Sequence, residues 1–203
     1  MKKYITEFIG TFFLVTTISL TGDPIAIGAA LMVMIYAGGH ISGAHYNPAV
    51  TLAVWIRGRI TSKEAIPYMI VQVIGAIAAA GLYMWLAGKK EMPADVARNA
   101  DSFKAVVVEL IGTFALGYVV LNVATSKATS GNSYFGLAIG FTVLAMALAF
   151  GKISGGAFNP AVAIGLCLMK MVAWADIWIY LVGCFGGGLL AAIVFNFLNP
   201  DDK

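Results

Sequence analysis

Two short stretches of this sequence contain residue types from which a hydrogen-bonding site inside an apolar environment could be built. Residues 41–50 read Ile-Ser-Gly-Ala-His-Tyr-Asn-Pro-Ala-Val, and residues 153–162 read Ile-Ser-Gly-Gly-Ala-Phe-Asn-Pro-Ala-Val. Asn-Pro-Ala is typical of a helix start, because asparagine caps the first turn and proline suits the first helical position. One copy would indicate no more than that. Two copies in matching frames, each between apolar segments, indicate two half-helices that meet head to head in a pore.

The side chains of these motifs predict selective permeation rather than catalysis. Asn47 and Asn159 can cap their helices through the side-chain oxygen, which leaves each NH2 group free to face a lumen. The two helix N-termini add about half a positive charge each, so a cation would meet a positive field. A water molecule would turn its oxygen toward the amides, which interrupts a one-way proton wire. The predicted pore motifs comprise Asn47, Pro48, Ala49, Asn159, Pro160 and Ala161.

The composition predicts an integral membrane protein. Of the 203 residues, 60% are hydrophobic and 11% are charged, and the mean hydropathy is +0.87. Soluble domains carry about 25% charged residues. The net charge of +3 arises mostly from loops and termini and does not indicate nucleic-acid binding. Cys167 and Cys184 lie in apolar segments, and the sequence contains no metal-ligand spacing, nucleotide loop or nucleophile–base pair, so we expect no cofactor, no metal and no enzyme activity.

Six apolar segments are long enough, or nearly so, to cross about 30 Å of hydrocarbon. They are residues 4–21, 25–40, 66–87, 104–124, 134–150 and 176–198, of which the second and fifth are the shortest. Two further apolar stretches, 48–57 and 160–169, follow the Asn-Pro-Ala motifs and are too short to span. We predict re-entrant half-helices there, since irregular backbone at membrane depth is tolerated where protein buries it or where it lines a watery cavity.

An internal repeat relates the two halves of the chain. Residues 7–12 resemble 109–114, and residues 39–53 resemble 151–165. A weaker echo joins Tyr68, Gln72 and Gly75 to Trp178, Gly183 and Gly186. Three spans per half make the second half enter from the opposite side, and such inverted repeats place the functional site near the midplane. The predicted organisation is one channel domain, 1–203, with repeats of about 1–88 and 104–200 and a polar loop at 89–103.

The whole chain resembles the aquaporin, or major intrinsic protein, family. The motifs that carry this resemblance are Glu7-Phe-Ile-Gly-Thr-Phe, His40-Ile-Ser-Gly-Ala-His-Tyr-Asn-Pro-Ala-Val-Thr, Gln72-Val-Ile-Gly, Glu109-Leu-Ile-Gly-Thr-Phe and Ser154-Gly-Gly-Ala-Phe-Asn-Pro-Ala. The resemblance implies an all-α integral membrane protein with the aquaporin-like fold, in which six transmembrane helices and two re-entrant half-helices form inverted repeats. It also implies one pore in each subunit of a homotetramer embedded in membrane lipid.

The orientation also follows from the resemblance, which implies that both termini are cytoplasmic. That orientation leaves seven cationic side chains inside and six outside, a difference too small to fix the topology by itself. The short loops and minimal termini favour a prokaryotic inner membrane.

The second motif departs from the family pattern. Most members carry arginine directly after the second Asn-Pro-Ala, whereas this chain has Val162. By position, the resemblance implies an outer filter of Val162 with Ile27, Ala147 and Gly156, which is wider and more apolar than the usual sets. Because pore diameter, lining donors and electrostatic barriers set selectivity, we expect passage of water and of at least one small neutral solute. Glycerol, ammonia, hydrogen peroxide and dissolved gases stay open as that solute, as does proton leakage past a filter without arginine.

Two carboxylates lie inside predicted spans, although a charge at the bilayer centre costs about 2.5–3.5 kcal/mol on insertion scales. Glu7 and Glu109 occupy repeat-related positions, which favours a structural role over a proton relay. The resemblance implies that each accepts backbone N–H bonds from a re-entrant loop. An inverted-repeat secondary transporter is the alternative class, and it would need carboxylates that face the substrate path.

Three further side chains are vestibule candidates. His40 and Lys152 occupy equivalent positions seven residues before the two asparagines, which predicts one at each mouth. Lys152 either replaces part of the missing arginine charge or extends to the interface as an ordinary lysine. His45 is a candidate pore-wall or gating residue.

Overall fold

The computed structural model of the protein describes residues 1–87 and 101–202, and all of the secondary structure in that part of the chain is helical. Most of the predicted loop 89–103 lies outside the described residues. The α-helices are α1 Lys2–Thr21, α2 Pro24–Ser42, α3 Pro48–Ile56, α4 Ser62–Ala87, α5 Ser102–Val120, α6 Phe135–Ser154, α7 Pro160–Leu168 and α8 Ile177–Leu198. Short 3-10 turns occupy Lys127–Thr129 and Trp174–Asp176.

Six of these helices are long and apolar enough to cross a membrane, and α3 and α7 are the two short ones of nine residues each. The predicted fold class is therefore confirmed. The half-helices end one residue before the predicted 57 and 169. With six spans, both ends of the chain lie on one side of the molecule, which we call the inner side.

The second and fifth spans, α2 with 19 residues and α6 with 20, are among the shortest, as predicted. The first span also has 20 residues, and Ser62–Ala87, Ser102–Thr125 and Trp174–Leu198 have 26, 24 and 25. Helices α2 and α6 nevertheless end later than the predicted residues 40 and 150. Both continue past a polar residue and end only where Gly43 and Gly155 adopt φ values of +86° and +93°. Glycine enters this left-handed region without the steric penalty of a side chain, so it sets the helix end.

The register of the weakest sequence echo is also wrong. The hydroxyl groups of Tyr68 and Tyr180 donate to the carbonyl oxygens of Ser42 and Ser154, which are themselves repeat-related. The true counterparts of Tyr68, Gln72 and Gly75 are Tyr180, Cys184 and Gly187, rather than Trp178, Gly183 and Gly186. This match is hard to see in the sequence because Cys184 occupies the position that corresponds to Gln72.

Helices α2 and α6 pack so closely that their backbones are in contact. A Cβ atom built on Gly28 of α2 would lie 2.8 Å from the carbonyl oxygen of Gly140 on α6, and one built on Gly140 would lie 2.5 Å from that of Gly28. Small residues permit such close crossings in lipid. The half-helices join the two halves together, because α3 packs against α8 and α7 packs against α4.

The inner side carries a local departure from α-helical geometry. After Val120, α5 continues as a π-turn over Leu121–Thr125. The following loop hydrogen-bonds to this turn: the Thr129 hydroxyl donates to the Asn122 carbonyl over 2.5 Å and the Asn132 amide donates to the Val123 carbonyl over 2.7 Å. The turn and the loop therefore form one hydrogen-bonded wall.

A charged cluster near the C-terminus connects three segments of the inner side. One oxygen of Asp202 lies 2.9 Å from the Arg57 guanidinium and 3.1 Å from that of Arg59, both directly after α3. The other oxygen accepts from the Ser126 hydroxyl over 2.7 Å and from the Lys127 backbone N–H over 3.0 Å. The Arg57 side chain is 1% exposed, and its guanidinium carbon lies 4.6 Å from the Phe195 ring centre.

We expect this cluster to make stability depend on pH. The Ser126 hydroxyl, the Lys127 N–H and the Arg57 guanidinium hold the pKa of Asp202 below its ordinary value. Its stabilisation is therefore complete above the ordinary aspartate pKa and is lost as the pH falls through the lowered value. Asp202→Asn should reduce the unfolding temperature in detergent at neutral pH, and its curve should converge with that of the parent in acid.

Asp201→Asn is the matched control, because Asp201 is the exposed neighbour of Asp202. It should leave the unfolding temperature unchanged at every pH. Equal behaviour of the two variants would contradict a specific role for Asp202.

Candidate functional site

Both Asn-Pro-Ala motifs cap their half-helices as the sequence predicts. The Asn47 side-chain oxygen accepts from the N–H of Ala49 over 2.8 Å and from that of Val50 over 3.4 Å. Asn159 does the same for α7, accepting from Ala161 over 2.9 Å and from Val162 over 3.4 Å. Pro48 and Pro160 are the first helical residues. The two N-termini, with their positive dipole ends, face one another across the centre of the molecule.

The expectation that each asparagine NH2 group is free is wrong. The Asn47 amide donates to the carbonyl oxygen of Phe158 over 2.8 Å, and the Asn159 amide donates to that of Tyr46 over 2.9 Å. Each acceptor lies in the opposite re-entrant loop, because those carbonyls need partners at membrane depth. An amide NH2 has two protons, so one proton of each group is left to face the cavity that both asparagines line.

Glu7 and Glu109 hold the two loops from behind. One oxygen of Glu7 accepts from the Ser42 hydroxyl over 2.6 Å and from the His45 N–H over 3.0 Å. The other accepts from the Tyr46 N–H over 2.7 Å and from the Gln72 amide over 2.8 Å. The carboxylate thus satisfies backbone donors that no regular secondary structure could pair.

Glu109 repeats this arrangement in the second half. It accepts from the Ser154 hydroxyl over 2.6 Å, from the Ala157 N–H over 2.9 Å and from the Phe158 N–H over 2.7 Å. In place of the glutamine amide, the Cys184 sulfur lies 3.6 Å from the carboxylate. Both glutamates are 0% exposed.

An aromatic ring from each re-entrant loop packs directly against a glycine of α1 or α5, a contact that was not predicted from the sequence. A Cβ atom on Gly10 would lie 2.1 Å from the Tyr46 ring, and one on Gly112 would lie 2.2 Å from the Phe158 ring. Tyr46 and Phe158 themselves have φ values of +50° and +46°, which are strained for these residue types and are held by the surrounding contacts. The signal was present in the sequence, since both Glu-x-Ile-Gly-Thr-Phe motifs place glycine three residues after the glutamate.

Two cavities approach the loops from opposite sides. The outer cavity has a volume of about 490 Å³ and is lined by both asparagines and by all four predicted filter residues, Ile27, Ala147, Gly156 and Val162. The inner cavity has a volume of about 830 Å³ and includes the wall formed by the π-turn and its loop. They share five lining residues, which we call the inner ring: Ile35, Ala44, His45, Val120 and Ile139. The cavities therefore meet at this ring.

The other candidate residues fall into two groups. His40 lines the inner cavity, the exposed Lys152 lines the rim of the outer one, and His45 lies in the inner ring. Neither Glu7 nor Glu109 is among the described residues that line these cavities. Most of the inner ring was not predicted from the sequence, although Ile35, Ala44 and Ile139 are repeat-related to Ala147, Gly156 and Ile27 of the outer filter.

Comparison with known proteins supplies relatives over the whole chain. The family described as Major intrinsic protein matches residues 1–195. Aquaporin NIP1-1 of Zea mays is 35% identical over 218 residues, which cover 100% of this chain and 77% of that protein. Glycerol uptake facilitator protein-like 6 of Lactiplantibacillus plantarum is 36% identical over 222 residues, which cover both chains completely. The X-ray structure of the aquaglyceroporin from Plasmodium falciparum has the same fold, with a TM-score of 0.80 at 24% identity over 98% of this chain and 97% of that one.

We expect Glu7→Gln to destabilise the protein. Glutamine keeps one acceptor oxygen, so its NH2 group would face at least one buried donor that the carboxylate now satisfies. A buried donor left without a partner costs about 1–3 kcal/mol. The unfolding temperature in detergent should fall, and water permeability per folded molecule should fall with it.

Glu64→Gln is the matched control for this prediction. Glu64 is a partly exposed carboxylate that pairs with Lys3 over 2.8 Å, and such surface pairs contribute about 0–1 kcal/mol. If both variants unfolded at the parental temperature, the supporting role of Glu7 would be excluded.

Proposed function

This chain belongs to the major intrinsic protein family, whose members are channels for water and small neutral solutes, and we propose that its pore also admits a neutral solute that strict water channels exclude. The observation that carries the proposal is Val162, a 1% exposed aliphatic side chain directly after the second Asn-Pro-Ala and on the wall of the outer cavity. A charged donor at this position would hydrogen-bond to permeants and repel cations. Valine does neither.

The other outer-filter residues support a wide and apolar entrance. Ala147 has only a methyl side chain and Gly156 has none, and the side chain of Ile27 is purely hydrocarbon. A solute that crosses such a ring makes few side-chain hydrogen bonds there, so small size and low desolvation cost decide passage. Ammonia, hydrogen peroxide and dissolved gases fit this chemistry, and glycerol tests its upper size.

The inner ring is the bulkier of the two rings and sets the size limit in this proposal. Where the outer ring has Ala147 and Gly156, the inner ring has Ile35 and Ala44, and Val120 adds a further branched side chain. Water must give up hydrogen bonds to pass the apolar outer ring and an inner ring in which His45 is the one polar side chain. This cost favours the second candidate function, a channel mainly for another neutral solute with little water flux.

Cation exclusion rests on the centre of the pore in this proposal. The two half-helix N-termini contribute about half a positive charge each, and the remaining amide protons of Asn47 and Asn159 offer donors to a passing oxygen. An ion-coupled carrier or an enzyme has less support, because the buried glutamates lie behind the loops and away from the described cavity walls.

The assembly and location are part of the same proposal. The chain is a multi-pass membrane protein, and we infer a homotetramer in lipid with both termini cytoplasmic, in a prokaryotic inner membrane. Six spans put the termini on one side, and the connections between α1 and α2 and between α3 and α4 are short. The relatives include both bacterial and plant proteins.

The first test is stopped-flow light scattering of proteoliposomes mixed with hyperosmotic glycerol. Shrinkage faster than that of empty liposomes would support the water pathway, and rapid re-swelling would identify glycerol as a permeant solute. Shrinkage without re-swelling would place the size limit below glycerol, and ammonia and hydrogen peroxide uptake should then exceed the empty-liposome rate. Failure of all three solutes would overturn the proposed widening, and slow shrinkage with rapid solute uptake would favour the second candidate function.

Two variants separate charge from size at the outer ring. Val162→Arg should reduce solute uptake several-fold by adding both bulk and a cation, and Ala147→Phe should reduce it by bulk alone. Only the arginine variant should also lower any leak of protons, which a trapped pH-sensitive dye reports. Unchanged permeability to every solute in both variants would remove these residues from the filter.

A further inference from the structure

A hydrogen-bonded chain connects the buried carboxylate of Glu7 to the pore wall through Gln72, Thr51 and His45. We propose that Gln72 and Thr51 are positioning residues that hold His45 in the neutral tautomer with its proton on Nε2, so that the inner ring presents a hydrogen-bond donor to the lumen. This inference rests on the proposed function only in treating the ring as part of the pore.

Glu7 sets the donor-to-acceptor direction of this series of hydrogen bonds. Four donors surround its two oxygens, at 2.6 Å, 3.0 Å, 2.7 Å and 2.8 Å. A carboxylate can only accept, and the backbone N–H groups of His45 and Tyr46, which can only donate, already make it the acceptor at both oxygens. The Gln72 side chain must therefore present its NH2 group, rather than its oxygen, to Glu7.

The same NH2 group determines what the Thr51 hydroxyl does. The second amide proton of Gln72 is donated to the Thr51 oxygen over 2.9 Å. The hydroxyl proton of Thr51 then has two acceptors in reach, His45 Nδ1 at 3.1 Å and the Gln72 carbonyl oxygen at 3.4 Å. The shorter contact is the stronger one. Thr51 thus donates to Nδ1, and the proton of a neutral imidazole belongs on Nε2.

The Nε2 atom is available to the pore. His45 lines both cavities, and among the described residues Nε2 has no hydrogen-bond partner. The ring is held in place by the edge of Tyr68, whose centroid lies 5.3 Å away at an interplanar angle of 60°. Thr51 is 0% exposed, so water does not compete for its hydroxyl.

The second repeat shows that the hydrogen-bond series from Glu7 to His45 is not needed to build a re-entrant loop. The repeat-related positions of Gln72, Thr51 and His45 are occupied by Cys184, Ala163 and Ala157. The loop there keeps its supporting glutamate, its serine and its capping asparagine. The repeat that lacks the histidine thus also lacks the threonine and the glutamine. This joint absence indicates that Thr51 and Gln72 act together on His45.

The tautomer decides which species the inner ring accommodates. With the proton on Nε2, the ring offers a donor to any solute that carries a lone pair, such as water or ammonia. A hydronium or ammonium ion has only donors and meets a donor. In the other tautomer, a lone pair on Nε2 would accept a proton from such an ion. The positioned tautomer therefore adds to cation exclusion in a pore that has Val162 in place of arginine.

Nitrogen NMR can read this tautomer directly, because the chain contains two histidines and His40→Gln leaves His45 alone. In lipid, at a pH where the ring is neutral, ¹⁵N-histidine spectra should show a protonated Nε2 and an unprotonated Nδ1. Thr51→Val should produce a mixture of tautomers, and Thr51→Ser should restore the parental spectrum. A protonated Nδ1 in the parent, or an unchanged spectrum in Thr51→Val, would overturn the proposal.

Thr113→Val is the matched control for the loss of a buried hydroxyl. Thr113 is 0% exposed and lies on α5 in the second repeat, beside Cys184 rather than His45. This variant should leave the His45 spectrum as in the parent, and a changed spectrum would show that any such loss disturbs the ring.

A flux measurement tests the consequence. Liposomes with a trapped pH-sensitive dye should report a several-fold increase in proton leak for Thr51→Val, with water permeability retained, and the parental leak for Thr51→Ser. A changed spectrum without extra leak would overturn the exclusion role. Failure of the proposed outer filter is distinguishable, since the spectrum does not depend on which solute the pore conducts.

Discussion

The structure depends on one constraint: backbone that is not helical at the centre of a membrane must find every hydrogen-bond partner within the protein. Residues 43–47 and 155–159 are such backbone. Glu7 and Glu109 accept hydrogen bonds from backbone N–H groups of these loops, among them those of Tyr46 and Phe158. Two loop carbonyl oxygens accept from the asparagine amide of the opposite loop. The charged groups in the apolar interior are therefore a consequence of the irregular loops. The loops in turn aim the N-termini of α3 and α7 at one point.

The inverted repeat meets this constraint twice with one backbone solution and uses the side chains for different purposes. The capping asparagine, serine and glutamate are the same in both halves, whereas Thr51 and Gln72 have given way to Ala163 and Cys184. Positions that build the loop are thus fixed by backbone hydrogen bonds that any copy must make. Positions that face the lumen carry no such obligation, and neither do the buried side chains of Thr51 and Gln72 behind them. These positions distinguish the inner ring from the outer one.

Most of the fold and the centre of the site could be predicted from the sequence, because apolar length and the repeated motifs are local signals. The predictions failed where the deciding contact was distant along the chain. The acceptor of the Asn47 amide lies 111 residues away at Phe158, and no local pattern indicates it. Apart from His45, the inner ring was not predicted, because Ile35 and Val120 look like ordinary lipid-facing side chains in an apolar helix. The ends of α2 and α6 were misplaced because His40 and Lys152 resemble interfacial residues, although the helix continues to the next glycine.

The exchange of half-helices between the two halves has a consequence for biogenesis. The ribosome makes the chain from the N-terminus, so α3 is synthesised long before α8, the helix against which it packs. During that interval the Asn47 amide has no carbonyl from the second loop to bind. The N-terminal half is therefore an unfinished folding unit until residues 158–198, which hold the partners of α3 and of the Asn47 amide, have been made. Final closure of the pore is then the last step of assembly, made by both halves at once.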